Sequence, residues 1–160
     1  MIFASTAPQI RYPDCYGIDI ARLDDLAAFK AAIALLEERG PGLIAEVYRQ
    51  CVSCLSAKDF HENVVKRIYQ SFKPEEISRK ITDMLTPNGA PFEIAFQTID
   101  DMHEAIPEHR GDWVFTGDFA TPGGTEAVMR AFVNYYEGST ARSPRHFIRL
   151  LIVKHELQSL

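Results

Sequence analysis

Two cysteines of this 160-residue chain, Cys51 and Cys54, stand in the Cys-x-x-Cys spacing that metal sites and redox-active thiols use. A zinc site of this kind needs a second pair of ligands, and a redox motif needs a strand that leads into a helix. The sequence supplies neither. Cys51 also recurs with Val47 and Leu55 at helical spacing, which is typical of a buried structural thiol. We therefore expect two packed thiols and no metal site.

Other acidic and histidine residues form incomplete patterns. His61 and His103 each precede a glutamate, as in the first half of a zinc-protease helix, but the residue four places on is not histidine in either case. The paired acids Asp24-Asp25 and Asp100-Asp101 stand at predicted helix starts, where carboxylates are stabilised by the helix dipole. Solvated helix-start acids are therefore the favoured interpretation of both pairs.

Composition and charge exclude several classes of partner. Hydrophobic residues make up 46% of the chain and charged residues 24%, with a formal net charge of -5. This balance argues against nucleic acid and anionic membranes as partners, because both select basic surfaces. No apolar run approaches the roughly 18 residues of a spanning helix, and we expect no cleaved leader. Three cysteines, an odd number, indicate no disulfide framework, so a reducing cytoplasm is the expected compartment.

The apolar pattern of the first half predicts one strand followed by helices. Residues 2–6 form the predicted strand, and a proline-punctuated loop follows to about Asp19. Apolar residues then recur every three or four positions through residues 22–85, which indicates four amphipathic helices, the third with an N-terminal cap at Ser56. Their apolar faces are Leu23, Leu26, Phe29, Ile33 and Leu36; Leu43, Val47, Cys51 and Leu55; Phe60, Val64, Ile68 and Phe72; and Ile77, Ile81 and Leu85.

The second half has a mixed pattern. Apolar residues alternate with polar or small ones over residues 92–96, which predicts a half-buried strand, and a short helix is expected over residues 100–106. Residues 113–115 are predicted to be extended. Thr125 is placed to cap a helix that ends at Gly138.

The last residues differ in character from the rest. Arg142, Arg145, Arg149 and Lys154 flank an apolar run over residues 147–153, which fits either a strand or a helix. An amphipathic segment that binds a partner or a membrane surface is one interpretation. A disordered end is the other.

The beginning of the chain carries the most specific pattern. An apolar run and small residues lead into Pro8-Gln-Ile-Arg-Tyr-Pro13 and then into Tyr16-Gly-Ile-Asp19. This order resembles the strand and loop that close the phosphoribosyltransferase domain of amidophosphoribosyltransferases (glutamine phosphoribosylpyrophosphate amidotransferases). Val114-Phe-Thr-Gly-Asp-Phe119 is similar to the late Phe-Thr-Gly-Lys-Tyr signature of that family. The resemblance covers residues 2–21 and 92–138.

The resemblance implies an α/β fold and a division of the chain. The expected fold is the C-terminal fragment of a type I phosphoribosyltransferase domain, at the edge of its parallel sheet, with a mainly helical insertion or extension. We expect the strand over residues 2–6 to expose an unpaired edge. The implied parts are 1–21, the last strand and loop of that domain; 22–85, the helical insertion; 86–138, the closing strand-helix region; and 139–160, an unassigned tail.

The resemblance also implies a function. The family transfers ammonia from glutamine to phosphoribosyl pyrophosphate and so makes phosphoribosylamine in purine biosynthesis. The family's nucleophilic cysteine and its paired-Asp loop for the ribose and the 5′-phosphate are absent from this sequence, so we expect the chain alone to be inactive. Its partner would be the upstream catalytic part of the same enzyme, the full-length protein would be a homo-oligomer, and Mg²⁺ would bind with the substrate's pyrophosphate on ligands outside this chain. The alternative is a stand-alone helical interaction or regulatory module without catalysis.

Some members of the family carry an iron–sulfur cluster. They have two cysteines just before Phe-Thr-Gly, where this chain has Gly111 and Val114, and a further ligand near the Tyr-Gly loop, for which Cys15 lies one place late. We therefore expect no iron–sulfur cluster.

The candidate site residues lie in the loop after the first strand. In open α/β sheets ligands bind outside the carboxyl ends of strands, and the resemblance puts this loop beside the phosphoribosyl site and the route of ammonia. The small residues Ser5 and Ala7 would let a ligand or channel approach the backbone, Arg11 would meet a phosphate, and Tyr16 would line the passage. Pro8 is a further candidate of the same loop. The alternative is that Arg11 is a surface charge and that Tyr16 packs under the loop.

Overall fold

A computed structural model describes residues 1–14, 20–86, 92–108 and 111–141 of the chain. Within these ranges the chain is mainly helical, and two short strands form the only sheet. No helix in these ranges is long and apolar enough to cross a membrane. Two 3-10 turns, Leu23–Asp25 and Val64–Lys66, accompany the regular elements. These are β1 (Ile2–Ser5), α1 (Ala27–Arg39), α2 (Gly42–Ala57), α3 (Arg67–Gln70), α4 (Pro74–Leu85), β2 (Glu93–Phe96), α5 (Ile99–Ala105), α6 (Trp113–Thr116) and α7 (Pro122–Tyr136).

The expected α/β fold, a fragment of a type I phosphoribosyltransferase domain, is wrong. β1 and β2 pair in parallel, with Ile2 opposite Glu93 and Ser5 opposite Phe96, but no third strand joins them in the described part of the chain. The extended piece predicted over residues 113–115 belongs instead to the helical turn α6. So short an apolar run does not distinguish a strand from a helical turn by its pattern. The architecture is a helical body that carries a two-stranded sheet.

The strand β1 lies outside the core. Ile2 is 71% exposed and Phe3 50% exposed, although the ring of Phe3 meets that of Phe92 edge-to-face at 5.7 Å. β2 pairs with one edge of β1, and no described strand pairs with the other. Among the described residues a strand edge is thus left open over residues 2–5, as expected.

The predicted faces of α1 and α4 are confirmed in their main residues. α1 buries Phe29, Ile33 and Leu36, and α4 buries Ile77 and Ile81. The two helices pack against each other. Spacings of three and four residues place these side chains on one face of each helix, which explains why the sequence pattern predicted them.

Helices α2 and α7 form the second main packing pair. α2 buries Val47 and Cys51. At the end of α7 the ring of Tyr48 stacks on that of Tyr136 with centroids 4.1 Å apart, and the Tyr48 hydroxyl donates to the Glu137 carboxylate at 2.7 Å. This contact fixes the end of α7 on the middle of α2.

Aromatic rings join α1 to α7 in the centre of the core. Phe29 meets Phe132 edge-to-face at 6.1 Å and Tyr135 at 4.8 Å, and both phenylalanines are fully buried. One cluster of buried residues includes side chains of the predicted insertion, of α7 and of Tyr12. The helical body therefore has a single core.

Two predicted helix starts are wrong. The hydroxyl of Thr121 accepts the backbone N–H of Gly124 at 3.3 Å and so caps α7, whereas Thr125, the expected cap, is buried within the helix. The start predicted at Ser56 fails because α2 continues through it to Ala57. The third predicted helix is consequently reduced to a 3-10 turn followed by α3.

Candidate functional site

The loop that follows β1 begins with a side-chain-to-backbone turn. The Ser5 hydroxyl donates to the carbonyl of Ala7 at 2.9 Å and accepts the Ala7 N–H at 3.3 Å. Such a local turn ends the strand and redirects the chain. Ser5 is thus bonded within its own loop, Ala7 is half-buried and Pro8 is buried.

Gln9 is the anchor of the loop, and no sequence pattern distinguishes it from its neighbours. Gln9 is only 4% exposed. Its amide nitrogen donates to the carbonyl of Pro74 at 2.8 Å and to the Ser78 hydroxyl at 2.7 Å. Its amide oxygen accepts two bonds from Arg11, from Nε at 3.3 Å and from Nη2 at 3.0 Å. All hydrogen-bonding positions of the amide are therefore used, and the loop is fixed to the start of α4.

The Arg11 guanidinium is oriented by Gln9 and by the ring of Tyr69, and the Arg11 backbone is fixed by two further hydrogen bonds. Beside the two bonds to Gln9, its guanidinium carbon lies 5.5 Å from the centroid of the Tyr69 ring. Its backbone N–H donates to the carbonyl of Val114 at 2.8 Å, and its carbonyl accepts the Tyr69 hydroxyl at 2.5 Å. Nη1 has no hydrogen-bond partner among the described residues. A preorganised guanidinium whose Nη1 is not bonded by any described residue is suited to a carboxylate or phosphate ligand.

Tyr12 locks the loop onto the helical body. It is 2% exposed, and its ring packs edge-to-face on Tyr69 at 5.2 Å and on Phe119 at 6.5 Å. A Cβ added at Gly117 would lie 2.7 Å from the Tyr12 ring, and Asn63 donates to the Gly117 carbonyl at 3.0 Å. Burial raises the pKa of the Tyr12 phenol, so this residue stays neutral and packs.

A cleft of about 980 Å³ opens between this loop, α4 and β2. Pro8, Gln9 and Arg11 line it on the loop side, whereas Ser5 and Ala7 do not. The described structure thus brings two of the predicted candidates to one cavity. The other walls are one face of α4 (Pro74, Glu75, Ser78, Arg79 and Thr82) and the continuous stretch from Phe92 to Asp100.

The charges around the cleft nearly balance. Arg11 and Arg79 supply two cations, and Glu75, Glu93 and Asp100 supply three carboxylates. The cleft as a whole therefore does not attract anions. An anionic ligand would be bound by Arg11 individually, through its fixed guanidinium.

The remaining candidates lie elsewhere. Tyr16 and Cys15 fall outside the described residues. Cys51 is fully buried in the core, as predicted, and Cys54 is half-buried; both are free thiols. Burial raises the pKa of Cys51 to about 12, so its thiol is inert near neutral pH. Within the described ranges, no three His, Cys, Asp or Glu side chains come together as a metal site.

Several of the histidine and acidic residues have structural partners. His103 Nε2 lies 2.6 Å from Asp112 Oδ2 at the surface, which ties α5 to the start of α6. The backbone N–H of Asp101 donates to the Thr98 hydroxyl at the start of α5, as expected of a helix-start acid. The hydrogen bond from Arg22 lowers the pKa of Asp24, which lies in a surface turn. Asp100 lines the cleft, but the other residues of these pairs do not.

No protein-family model, no curated protein and no solved structure matches this chain.

Proposed function

We propose that this chain is the C-terminal portion of an amidophosphoribosyltransferase, the enzyme that transfers glutamine-derived ammonia to phosphoribosyl pyrophosphate and forms phosphoribosylamine. The proposal assigns no catalysis to the chain alone. Its partner is the upstream catalytic portion of the same enzyme, in a homo-oligomeric and cytoplasmic protein.

One observation carries the proposal: the two segments that resemble the family contact each other directly. β1 pairs with β2, about 90 residues later in the chain. The N–H groups of Arg11 and Tyr12 both donate to the carbonyl of Val114, at 2.8 and 3.0 Å. The Tyr12 ring covers Gly117, in the Phe-Thr-Gly segment. Separate segments that share one function are expected to meet at one place in the fold, and these do.

The contribution of the chain to catalysis would be binding and positioning. The loop follows the carboxyl end of β1, and its residues Pro8, Gln9 and Arg11 line the cleft beside β2. Arg11 would contact phosphate oxygens of the substrate through Nη1, and Gln9 would keep its guanidinium in place. Mg²⁺ would arrive with the pyrophosphate of the substrate. The protein ligands of Mg²⁺ would lie outside this chain, and the described residues assemble no group of three His, Cys, Asp or Glu side chains.

The test combines the chain with the polypeptide encoded directly upstream of it. Light scattering on a size-exclusion column should show a joint peak, and the mixture should form phosphoribosylamine whereas the chain alone should not. Turnover by the chain alone, or the lack of any complex, would contradict the proposal.

A pair of arginine variants tests the role of the loop within that complex. Arg11→Gln should lower phosphoribosylamine synthesis at least about tenfold, because a charge-assisted bond to substrate contributes on the order of 1.5–3 kcal/mol. Arg49→Gln, at an exposed position of α2, is the matched control and should leave the rate unchanged. Equal rates for both variants would show that Arg11 does not bind the substrate.

A stand-alone helical module is the second candidate, and the single helical core favours it. Such a module would fold without the upstream polypeptide and would not bind it. The size-exclusion experiment separates the two candidates, since a monomer that ignores the upstream polypeptide supports the module.

A further inference from the structure

The Arg11 guanidinium has a second edge that no described residue bonds. Its Nε–H and one N–H of Nη2 donate to the Gln9 amide oxygen, at 3.3 and 3.0 Å, and these two groups form one side of the planar fork. Nη1 and the second N–H of Nη2 remain as an end-on pair. Two parallel N–H groups of this kind fit the two oxygens of a carboxylate.

A carboxylate of the protein borders the same end of the cleft. Glu75 follows Pro74, whose carbonyl accepts the Gln9 amide at 2.8 Å, and Gln9 in turn orients Arg11. The Glu75 side chain is exposed, lines the cleft and forms no hydrogen bond or ion pair with a described residue. A cation and an anion of the protein thus lie at one end of the cleft, and they are not paired with each other.

The other charges of the cleft disfavour a simple anion. Arg79 adds one cation, whereas Glu93 and Asp100 add two carboxylates, so that acids outnumber cations by three to two around the cleft. A polyanion would gain from Arg11 and would be repelled by the carboxylates. A ligand that carries one acidic and one cationic group is attracted by residues of both signs.

The wall opposite α4 contributes apolar side chains. Phe92, Ile94, Phe96 and Ile99 all line the cleft and are half-buried. Ile94 and Phe96 also pack against the core, which fixes this part of the wall. Their remaining exposed surface is removed from water when an apolar group of a ligand covers it.

We infer that this cleft binds an α-amino acid with a large apolar side chain. Arg11 and Glu75 lie at the same end, so the two charges of the ligand must be close together, as they are in an α-amino acid. The ligand carboxylate would lie on the end-on pair of Arg11 and its ammonium group beside Glu75. Its side chain would cover the apolar wall. This binding requires only the isolated chain and does not depend on the proposed enzyme.

Titration of the full chain with L-phenylalanine, followed by ¹⁵N NMR, tests this binding. Chemical-shift changes should centre on the Arg11 side-chain N–H groups and on the backbone of residues 92–99, and they should fit one binding constant. The absence of such changes would overturn the inference.

Three analogues of L-phenylalanine test its three groups separately. L-Phenylalaninamide lacks the carboxylate and should bind at least about tenfold more weakly, because it loses charge-assisted bonds to Arg11. L-Alanine lacks the ring and should also bind about tenfold more weakly. 3-Phenylpropionate lacks the ammonium group and should bind about two- to fivefold more weakly, since an exposed ion pair contributes little. An affinity equal to that of L-phenylalanine for any of the three would contradict the assignment.

A pair of variants on α4 tests the ammonium contact directly. Glu75→Gln should lower the affinity for L-phenylalanine about two- to fivefold and should not lower that for 3-phenylpropionate, because only the ammonium group meets Glu75. Asp83→Asn, at an exposed position of the same helix that does not line the cleft, is the control and should change neither affinity. Equal effects of the two variants would overturn the contact.

Inorganic phosphate distinguishes this binding from the proposed function. Phosphate that shifts the Arg11 signals, in a chain that does not bind L-phenylalanine, would overturn the inference and leave the proposed function standing. Binding of L-phenylalanine by a chain that forms no complex with the upstream polypeptide would support the inference and contradict the proposed function.

Discussion

The helical body, formed by α1, α2, α4 and α7, buries its apolar side chains, whereas the sheet of β1 and β2 exposes many of its own. Phe29 and Phe132 in the body are fully buried, and Phe3 in the sheet is half exposed. A helix satisfies its interior backbone groups within itself, but a strand requires a neighbour at each edge. The body therefore satisfies its own backbone groups, whereas within the described residues each strand has a neighbour at one edge only.

Matched phenylalanine truncations test this difference most strongly. Phe29→Ala should lower the free energy of unfolding by about 3–5 kcal/mol, because it leaves a cavity in the core. Phe3→Ala should cost less than about 1 kcal/mol, since half of its surface is already in water. Urea denaturation with a fixed m-value measures both. Similar losses would mean that the sheet contributes to the core as much as the helices do.

Alanine substitutions at two glycines test whether the loop after β1 packs firmly on the helical body. Gly117 has φ +77° and its added Cβ would meet the Tyr12 ring, whereas Gly138 has φ +67° and no atom within 4 Å of its added Cβ. Both glycines have a left-handed backbone conformation, in which alanine should lower the free energy of unfolding by about 1–2 kcal/mol at either position. The clash with Tyr12 should add about 1–3 kcal/mol for Gly117→Ala only. Thermal unfolding of the two variants gives the difference, and equal shifts would show that Tyr12 gives way and does not lock the loop.

Substitutions at two helix caps should have the smallest effects on stability. The Thr121 hydroxyl caps α7 and the Thr98 hydroxyl caps α5, which follows β2. Thr121→Ala should cost about 1 kcal/mol of global stability. Thr98→Ala should leave the global transition unchanged, because α5 buries no residue and can fray locally. Equal global losses in denaturant titrations would make α5 part of the cooperative body.

The sequence predicted the elements whose periodicity is long and missed those whose contacts are distant. The faces of α1 and α4 followed from three-residue and four-residue spacing, and β2 from alternation. The turn α6 was misjudged because three apolar residues carry no periodicity. The fold class failed because the resemblance implied strands that the described chain does not form.

Prediction of the candidate site from the sequence has the same limit, because its distant contacts leave no local pattern. Arg11 and Pro8 were identified through the resemblance, but Gln9, Tyr12 and Asn63 were not. Gln9 bonds to residues 65 and 69 positions away, and Asn63 to a residue 54 positions away. No local pattern records such pairs. A buried glutamine in a loop is recognised only when its partners are known.

The bonds of Gln9 also have an evolutionary consequence. Through this one amide, the orientation of Arg11 depends on the first turn of α4, which lies in the region that the resemblance treats as inserted. In any relative of this chain that keeps α4 and Arg11, positions 9 and 78 should therefore change together, because a substitution at either one removes a bond that orients the guanidinium.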